Sequence, residues 1–216
     1  SAAGCIASNT LAVTINTLPL ISSTPNTTVC ALSAINFTAS GGNSIVWIGP
    51  GGFNSTSYSP SISSASLANA GNYTLTASNL TGCSSSTIIS VTVNNLPIVT
   101  VNNPTICTNG NLVFNANGGN NYSWQGPLAF NSAIQNPTIT NATIGNSGSY
   151  TVTATALNGC TNTAISNATV FSLPSISVSN SGQACVNGSV SLNANGGLTY
   201  SWSGPAGYTS IIQNPV

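Results

Sequence analysis

Apolar and polar residues alternate along much of this chain, and the alternation has the period of a β-strand. One run places Ile35, Phe37 and Ala39 between polar residues. The same spacing recurs at Leu112, Phe114 and Ala116 and again at Val190, Leu192 and Ala194. Each run ends in Gly-Gly, and later runs such as YTLTAS and STIISVTVNN supply two further strands. Because no stretch combines helical apolar spacing with a cap, the sequence predicts an all-β fold.

These runs belong to a repeat with a period near 77 residues. Its markers are the tryptophans Trp47, Trp124 and Trp202, the Gly-Pro pairs at 49–50, 126–127 and 204–205, and the prolines Pro19, Pro97 and Pro174. The period exceeds that of solenoid repeats and suits a small β-sandwich module. We predict the C-terminal end of one module at 1–18, complete modules at 19–96 and 97–173, and the N-terminal half of a further module at 174–216. Both ends of the sequence therefore fall inside a repeat.

Charged side chains are absent from the sequence. At average usage about a quarter of residues are charged, so a chain of this length would carry roughly fifty charges. This one has no Asp, Glu, Lys, Arg or His, and it uses 34 Ser, 31 Asn and 27 Thr instead. Uncharged polar side chains must therefore provide its solubility. Since 41% of the residues are apolar, the chain has ample material for a core and lacks the composition of a disordered protein.

The same inventory excludes most chemistry. General acid–base catalysis draws on His, Asp, Glu, Lys, Tyr or Cys, and only the last two are present. An activated Ser, Thr or Cys needs a neighbouring base or cationic group, calcium sites need carboxylates, and zinc sites need clustered Cys and His. Nucleic-acid binding begins with Lys and Arg. We therefore predict no enzyme activity, cofactor, metal or nucleic-acid partner. No stretch approaches the ~20 apolar residues of a membrane span.

Two segments resemble the Asp-x-Gly-x-Tyr signature of immunoglobulin-like (Ig-like) domains. They are LANAGNY at 67–73 and IGNSGSY at 144–150. In that family the Tyr forms a tyrosine corner at the start of strand F, and a Trp on strand C packs in the core. The resemblance implies that Tyr73, Tyr150 and the three tryptophans are structural, with all three Trp rings buried in seven-strand sandwiches. Two departures are that Asn69 and Asn146 replace the Asp, and that no Cys stands two residues after the Tyr.

The whole cassette also resembles the tandem Ig-like and PKD-like repeats of very large secreted surface proteins of Bacteroidetes, including adhesins. It comprises a Cys, an alternating strand, Gly-Gly, YSWSGP, QNP, SGSYTVT, NGC and VTVN-LP. This resemblance implies an extracellular, cell-surface location and a structural spacer or stalk in a long fibre. The alternative is that the modules themselves bind a glycan or an ice-like surface through outward rows such as Thr151, Thr153 and Thr155. Unequal outward residues in YTLTAS and YTVTAT favour the spacer.

Absence of charge has a consequence for assembly. Net charge keeps proteins apart, and a net charge near zero promotes association. A long neutral chain of β-modules is therefore expected to pack laterally or polymerise into a filament or sheath. The expected partners are copies of the chain or other modules of the same fibre, with surface glycans as a further possibility.

The six cysteines follow the repeat, at Cys5, Cys30, Cys83, Cys107, Cys160 and Cys185. An even, periodic set without His indicates disulfides formed in an oxidising compartment. Pairing within a module would join Cys30 to Cys83 and Cys107 to Cys160. Pairing across the linker would join Cys83 to Cys107.

The strand directions of an Ig-like fold favour a third pairing. Cys30 precedes Ile35, the first inward residue of strand B, and is predicted at that strand's beginning, whereas Cys83 is predicted past the far end of strand F. Strands B and F run in the same direction, so at ~3.3 Å per residue the sulfurs would lie roughly 25 Å or more apart, too far for a disulfide. The A–B end of one module faces the F–G end of the next. We therefore predict a Cys30–Cys160 disulfide, with Cys5, Cys83, Cys107 and Cys185 paired to modules beyond this sequence.

Overall fold

The computed structural model describes residue 4 and residues 6–216, and it is built of β-strands joined by turns. No α-helix occurs among these residues. Four short 3-10 turns lie at Pro50–Gly52, Leu67–Asn69, Ile144–Asn146 and Pro205–Gly207. The all-β fold class predicted from the alternating pattern is confirmed.

The first complete repeat contains nine strand segments. They are β1 (Ser22–Ser23), β2 (Thr28–Cys30), β3 (Ile35–Asn36), β4 (Ala39–Ser40), β5 (Ser44–Gly49), β6 (Phe53–Ser55), β7 (Ser61–Ile62), β8 (Gly71–Ser78) and β9 (Ser84–Asn94). One five-stranded sheet has the order β2-β9-β8-β5-β6, and opposite it β1 pairs with β4 and β3 pairs with β7. Strand β2 is parallel to β9, with Cys30 beside Asn94. Counting β3 and β4 as one strand, this is an Ig-like sandwich with eight strands rather than the expected seven, because the first strand divides into β1 and β2, which join opposite sheets.

The core of this sandwich forms where the inward positions of the two sheets meet. Phe37, between β3 and β4, lies 5.0 Å from Trp47 of β5 and 4.7 Å from Tyr73 of β8, measured between ring centroids. All three side chains are buried, as are Leu75 and Ile35. Burying an aromatic ring removes a large apolar area from water, so these alternating strands are stabilised chiefly by their inward faces.

The second complete repeat has the same architecture. Its segments are β10 (Thr100–Val101), β11 (Thr105–Cys107), β12 (Leu112–Val113), β13 (Ala116–Asn117), β14 (Asn121–Gly126), β15 (Phe130–Ser132), β16 (Thr138–Ile139), β17 (Gly148–Thr155) and β18 (Thr161–Phe171). The sheet order is β11-β18-β17-β14-β15, with β11 parallel to β18. Phe114 lies 5.3 Å from Trp124 and 4.3 Å from Tyr150. Because the sheet order and the aromatic cluster are the same, the repeat seen in the sequence is a repeat of sandwiches.

Residues 174–216 form only part of a sandwich. They contain β19 (Ser177–Asn180), paired with β20 (Leu192–Asn195), and β21 (Trp202–Ser203), paired with β22 (Thr209–Ser210). Trp202 is half-exposed, whereas Trp47 and Trp124 are fully buried. The expectation that all three Trp rings are buried is therefore wrong for Trp202. In the first complete repeat Trp47 lies beside Leu75 of β8, and residues 174–216 contain no strand equivalent to β8.

The first residues of the described chain do not form a strand. Residues 6–21 have no ladder hydrogen bonds, and the apolar side chains of 6–18 are exposed, with Val13 79% and Ile15 90% accessible. Leu11, Val13 and Ile15 correspond to Ile89, Val91 and Val93, which are buried on β9. The sequence pattern of a final strand is present at 6–16, but no described segment pairs with it.

The chain divides into two compact units that cut across the sequence repeat. One unit contains residues 1–99 together with 118–121 and 154–162, and the other contains 100–117, 122–153 and 163–216. The turn before β18, which carries Cys160, therefore belongs to the same unit as the first sandwich. The module boundaries at 18/19, 96/97 and 173/174 remain sequence-based predictions.

Candidate functional site: the cysteine junction

The predicted tyrosine corners are present in both complete repeats. The hydroxyl of Tyr73 donates to the carbonyl oxygen of Asn69 at 2.8 Å, and the hydroxyl of Tyr150 donates to that of Asn146 at 2.9 Å. Burial raises the pKa of both phenols, and the hydrogen bond at Asn146 lowers that of Tyr150 in part. Two buried rings with satisfied hydroxyls indicate a structural role rather than a chemical one.

The two Asn residues that replace the family's Asp each accept a backbone hydrogen bond. Oδ1 of Asn69 accepts the backbone N–H of Ser66 at 2.8 Å, and Oδ1 of Asn146 accepts that of Thr143 at the same distance. This closes the 3-10 turn that leads into β8 or β17. A carboxylate is not required, because one neutral acceptor oxygen satisfies the donor. The departure from the signature therefore leaves the corner intact.

A glycine beside each corner tyrosine has a packing role that the sequence did not reveal. A Cβ on Gly49 would overlap the ring of Tyr73, and a Cβ on Gly126 would overlap the ring of Tyr150. In the sequence the Gly-Pro pairs served only as markers of the repeat. The structure shows that these two glycines also allow strand β5 or β14 to approach the tyrosine ring.

The QNP motif also has a structural role. The side-chain amide of Gln135 donates to the carbonyl oxygen of Ala116 at 2.7 Å, and Oδ1 of Asn136 accepts the N–H of Ala116 at 3.0 Å. Gln213 and Asn214 hold Ala194 in the same way. The two side chains thus replace a pair of backbone ladder bonds at the strand edge.

The core tryptophans differ in how their indole N–H is satisfied. Nε1 of Trp124 donates to the carbonyl oxygen of Gln135 at 3.2 Å, whereas Nε1 of Trp47 is buried with no partner among the described residues. We expect Trp124→Phe to destabilise the chain by about 1 kcal/mol more than Trp47→Phe, since only the first substitution removes a hydrogen bond. Urea unfolding of the two variants measures the difference. A larger loss for Trp47→Phe would contradict it.

The outward rows proposed as a binding surface are uneven. Thr151 on β17 is exposed, but Thr153 and Thr155 are half-buried. In the first repeat Ile48, Thr74 and Ile88 lie side by side across β5, β8 and β9, whereas Gln125 stands at the position of Ile48 in the second repeat. Thr74 and Ile88 recur as Thr151 and Ile165, so the outward row is kept only in part between the two repeats.

Cys30 and Cys160 form a disulfide, with Cα atoms 5.6 Å apart and 130 residues between them in sequence. Both belong to the first compact unit. The bond joins a cysteine of the repeat at 19–96 to a cysteine of the repeat at 97–173. Cys30 does not begin strand B, as the sequence analysis placed it, but ends β2, the strand beside β9. The end of β2 and the beginning of β3 lie at the same end of the sandwich, because only one turn separates them, so the predicted end for Cys30 is unchanged.

The turn that carries Cys160 lies between β17 and β18. It is closed by a hydrogen bond from the N–H of Ala156 to the carbonyl oxygen of Cys160 at 2.9 Å, and Oδ1 of Asn158 accepts the N–H of Cys160 at 3.0 Å. Gly159 adopts a φ of 80°, which favours glycine at this position of the turn. Cys160 is fully buried, so the junction is a packed contact and not only a covalent link.

The other described cysteines carry free thiols. Cys83 is half-buried, and Cys107 and Cys185 are exposed. Cys5 lies outside the described residues. Among the residues that the structure describes, no group of His, Cys, Asp or Glu could hold a metal ion, and no helix could span a membrane.

No protein-family model matches this chain, and no curated protein matches it. Solved structures with a similar fold include the three N-terminal domains of the bacteriophage RB49 Highly Immunogenic Outer Capsid protein (14% identity, TM-score 0.37, 92% of this chain and 80% of that chain). Others are the Ig1 domain of mouse SynCAM 2 (14%, 0.30, 37% and 98%) and the N-terminal Ig1-2 module of the Drosophila receptor protein tyrosine phosphatase DLAR (16%, 0.31, 70% and 98%). The sheet order and the tyrosine corners of the two complete repeats define a tandem of Ig-like β-sandwich modules.

Proposed function

We propose that this chain is a structural spacer segment of a long extracellular surface fibre or adhesin that assembles into a filament or sheath. The observation that carries the proposal is the Cys30–Cys160 disulfide, which fixes one repeat covalently to the next. A bond of this kind adds nothing to a catalytic or ligand site, but it stiffens a row of modules. Disulfides persist outside the reducing cytoplasm, which supports the extracellular location. The relationship to Bacteroidetes adhesin repeats rests on the sequence cassette and is part of the proposal.

Two features support a spacer over a binding array. The inward and turn residues recur in both repeats, as Tyr73 and Tyr150 or Gly49 and Gly126 show. Outward positions are kept only in part: Ile88 recurs as Ile165, whereas Gln125 replaces Ile48. A spacer needs only a constant core and constant ends.

Particle length as a function of repeat number tests the proposal. Chains with two, three and four complete repeats are measured by small-angle scattering under oxidising conditions. A spacer lengthens by the same increment for each added repeat. The proposal fails if added repeats leave the maximum dimension unchanged, or if the chain shows saturable glycan binding that Thr151→Ala abolishes.

The pH dependence of stability follows from the absence of charged side chains. Tyr73 and Tyr150 have a raised pKa because burial disfavours the phenolate. Their contribution to stability is fully present below the ordinary value of 10.0 and is lost as the pH rises through the raised pKa. We expect a melting temperature that is flat from about pH 4 to 10 and falls above it, with assembly insensitive to salt. Thermal melts across this range measure it, and a maximum inside the range would contradict it.

A further inference from the structure

Each repeat carries cysteines at two kinds of position. One is the last residue of β2 or β11, at Cys30 and Cys107, and Cys185 has the corresponding sequence position in the third repeat. The other is the last residue of the turn before β9 or β18, at Cys83 and Cys160. Among the cysteines that the structure describes, Cys30 and Cys160 are the only bonded pair. We propose that Cys83 and Cys107 are the unfilled halves of the same disulfide junction. Cys107 forms a disulfide with the turn cysteine of a following module, and Cys83 forms one with the strand-end cysteine of a preceding module.

The side that contains Cys107 already has the shape of the bonded side at Cys30. After Cys30, the N–H of Leu32 donates to Ala65 at 2.7 Å; after Cys107, the N–H of Asn109 donates to Ala142 at 2.8 Å. Leu32 and Asn109 adopt φ values of 67° and 69°. The half-site is therefore preformed and does not depend on the bond.

The side that contains Cys83 matches the bonded side at Cys160. The N–H of Asn79 donates to the carbonyl oxygen of Cys83 at 3.0 Å, as that of Ala156 does to Cys160. In addition, Sγ of Cys83 lies 3.9 Å from the carbonyl oxygen of Asn16. Asn16 corresponds to Asn94, the residue that pairs with Cys30 on the neighbouring strand. Cys83 thus already lies beside the place where a strand-end cysteine of a preceding module would stand.

The bonded cysteines are more buried than the free cysteines at the equivalent positions, as the proposal requires. Cys160 is fully buried and its equivalent Cys83 is half-buried; Cys30 is half-buried and its equivalents Cys107 and Cys185 are exposed. Each half-site therefore has surface that a partner turn or strand end would cover.

Pairing within one repeat is excluded by the strand register. Cys83 directly precedes β9, and Cys30 lies beside Asn94 at the other end of that eleven-residue strand. At about 3.3 Å per residue, β9 separates the two positions by roughly 30 Å, against at most about 7 Å between the Cα atoms of a disulfide. A repeat of this type therefore cannot form a disulfide between its own two cysteines, and each can bond only to a cysteine of a neighbouring repeat.

Bond formation needs an oxidant, which we take to be a low-molecular-weight disulfide. One protein thiolate attacks the disulfide and releases one thiol, and the second protein thiolate displaces the other. Two protein thiols and one small disulfide thus give one protein disulfide and two small thiols. The inference rests on the proposed spacer function, since it assumes that modules of the same type lie on both sides.

The experiment extends the chain by its own sequence. Residues 139–173 are added after Val216, which completes the third repeat and supplies a copy of Cys160. A second chain carries residues 19–78 before Ser1, which completes the repeat that ends at residue 18 and supplies a copy of Cys30. Both are oxidised with glutathione disulfide, digested without reduction and analysed by mass spectrometry. We expect the new cysteines to be linked to Cys107 and Cys83.

Trp202 fluorescence, which should shift to shorter wavelength, reports burial of the ring in the completed repeat. In the first extended chain, Cys107→Ser should leave the new thiol reactive to maleimide, whereas Cys185→Ser should not. A bond from the new cysteine to Cys185, or a new thiol that stays free, overturns the proposal. If the bonds form while particle length does not grow with repeat number, the junction stands and the spacer function fails.

Discussion

Substitution of Cys30 by serine is expected to lower the free energy of unfolding by about 5 kcal/mol. The disulfide closes a loop of 130 residues, and the chain-entropy model gives about 5 kcal/mol for a loop of this length. Guanidinium unfolding of the variant and the parent chain, both kept without reductant, measures the loss.

Cys107→Ser is the matched control, because Cys107 occupies the equivalent strand end but carries a free, exposed thiol. Its stability should equal that of the parent chain. Equal losses for Cys30→Ser and Cys107→Ser would show that the serine itself, and not the lost bond, is responsible.

Gly126→Ala is expected to destabilise the second sandwich by about 3 kcal/mol, at the upper end of the usual cost of overpacking. The new methyl group would overlap the ring of Tyr150, which is fully buried and fixed by its hydrogen bond to Asn146. Neither the strand nor the ring can yield without breaking the corner. Thermal unfolding followed by circular dichroism measures the shift.

The chain contains its own control for this substitution. Gly204 stands at the equivalent position of the third repeat, where the nearest atom to a Cβ, in Tyr208, is 3.5 Å away, an ordinary contact. Gly204→Ala should therefore be tolerated. If both substitutions cost the same, the tyrosine ring is not the cause.

The sequence predicted those parts of the fold that depend on local periodicity. Alternation around Phe37 and Phe114 located strands whose inward faces are buried, and the spacing of Tyr73 and Tyr150 located the corners. The strand directions of an Ig-like fold favoured a disulfide between Cys30 and Cys160, and those residues are bonded in the structure. Cys30 was assigned to the wrong strand, but both strands place it at the same end of the sandwich.

The parts that were not predicted depend on contacts between residues distant in sequence. Nothing near Gly126 shows that a tyrosine 24 positions later will occupy the space above it. Likewise, Gln135 and Asn136 look like turn residues until the structure places them on the backbone of Ala116. Trp202 has a local sequence similar to that of Trp124, with Tyr-Ser before it and Gly-Pro two residues after it, but its burial depends on strands that follow much later in the repeat.

The disulfide also determines how the chain would carry tension. A force applied to both ends passes from Cys30 to Cys160 through the sulfur atoms, so residues 31–159 bear no load. The parts of the sandwiches that lie within that loop, β3 to β17, could unfold without lengthening the molecule. Cutting the bond after they have unfolded would release up to about 460 Å, since an extended chain spans at most ~3.6 Å per residue. If such bonds recur, the bridge that begins at Cys107 overlaps this loop, and the shortest path for the force runs from Cys160 through 25 residues to the bridge that begins at Cys185. The fibre would then behave as an almost inextensible tether.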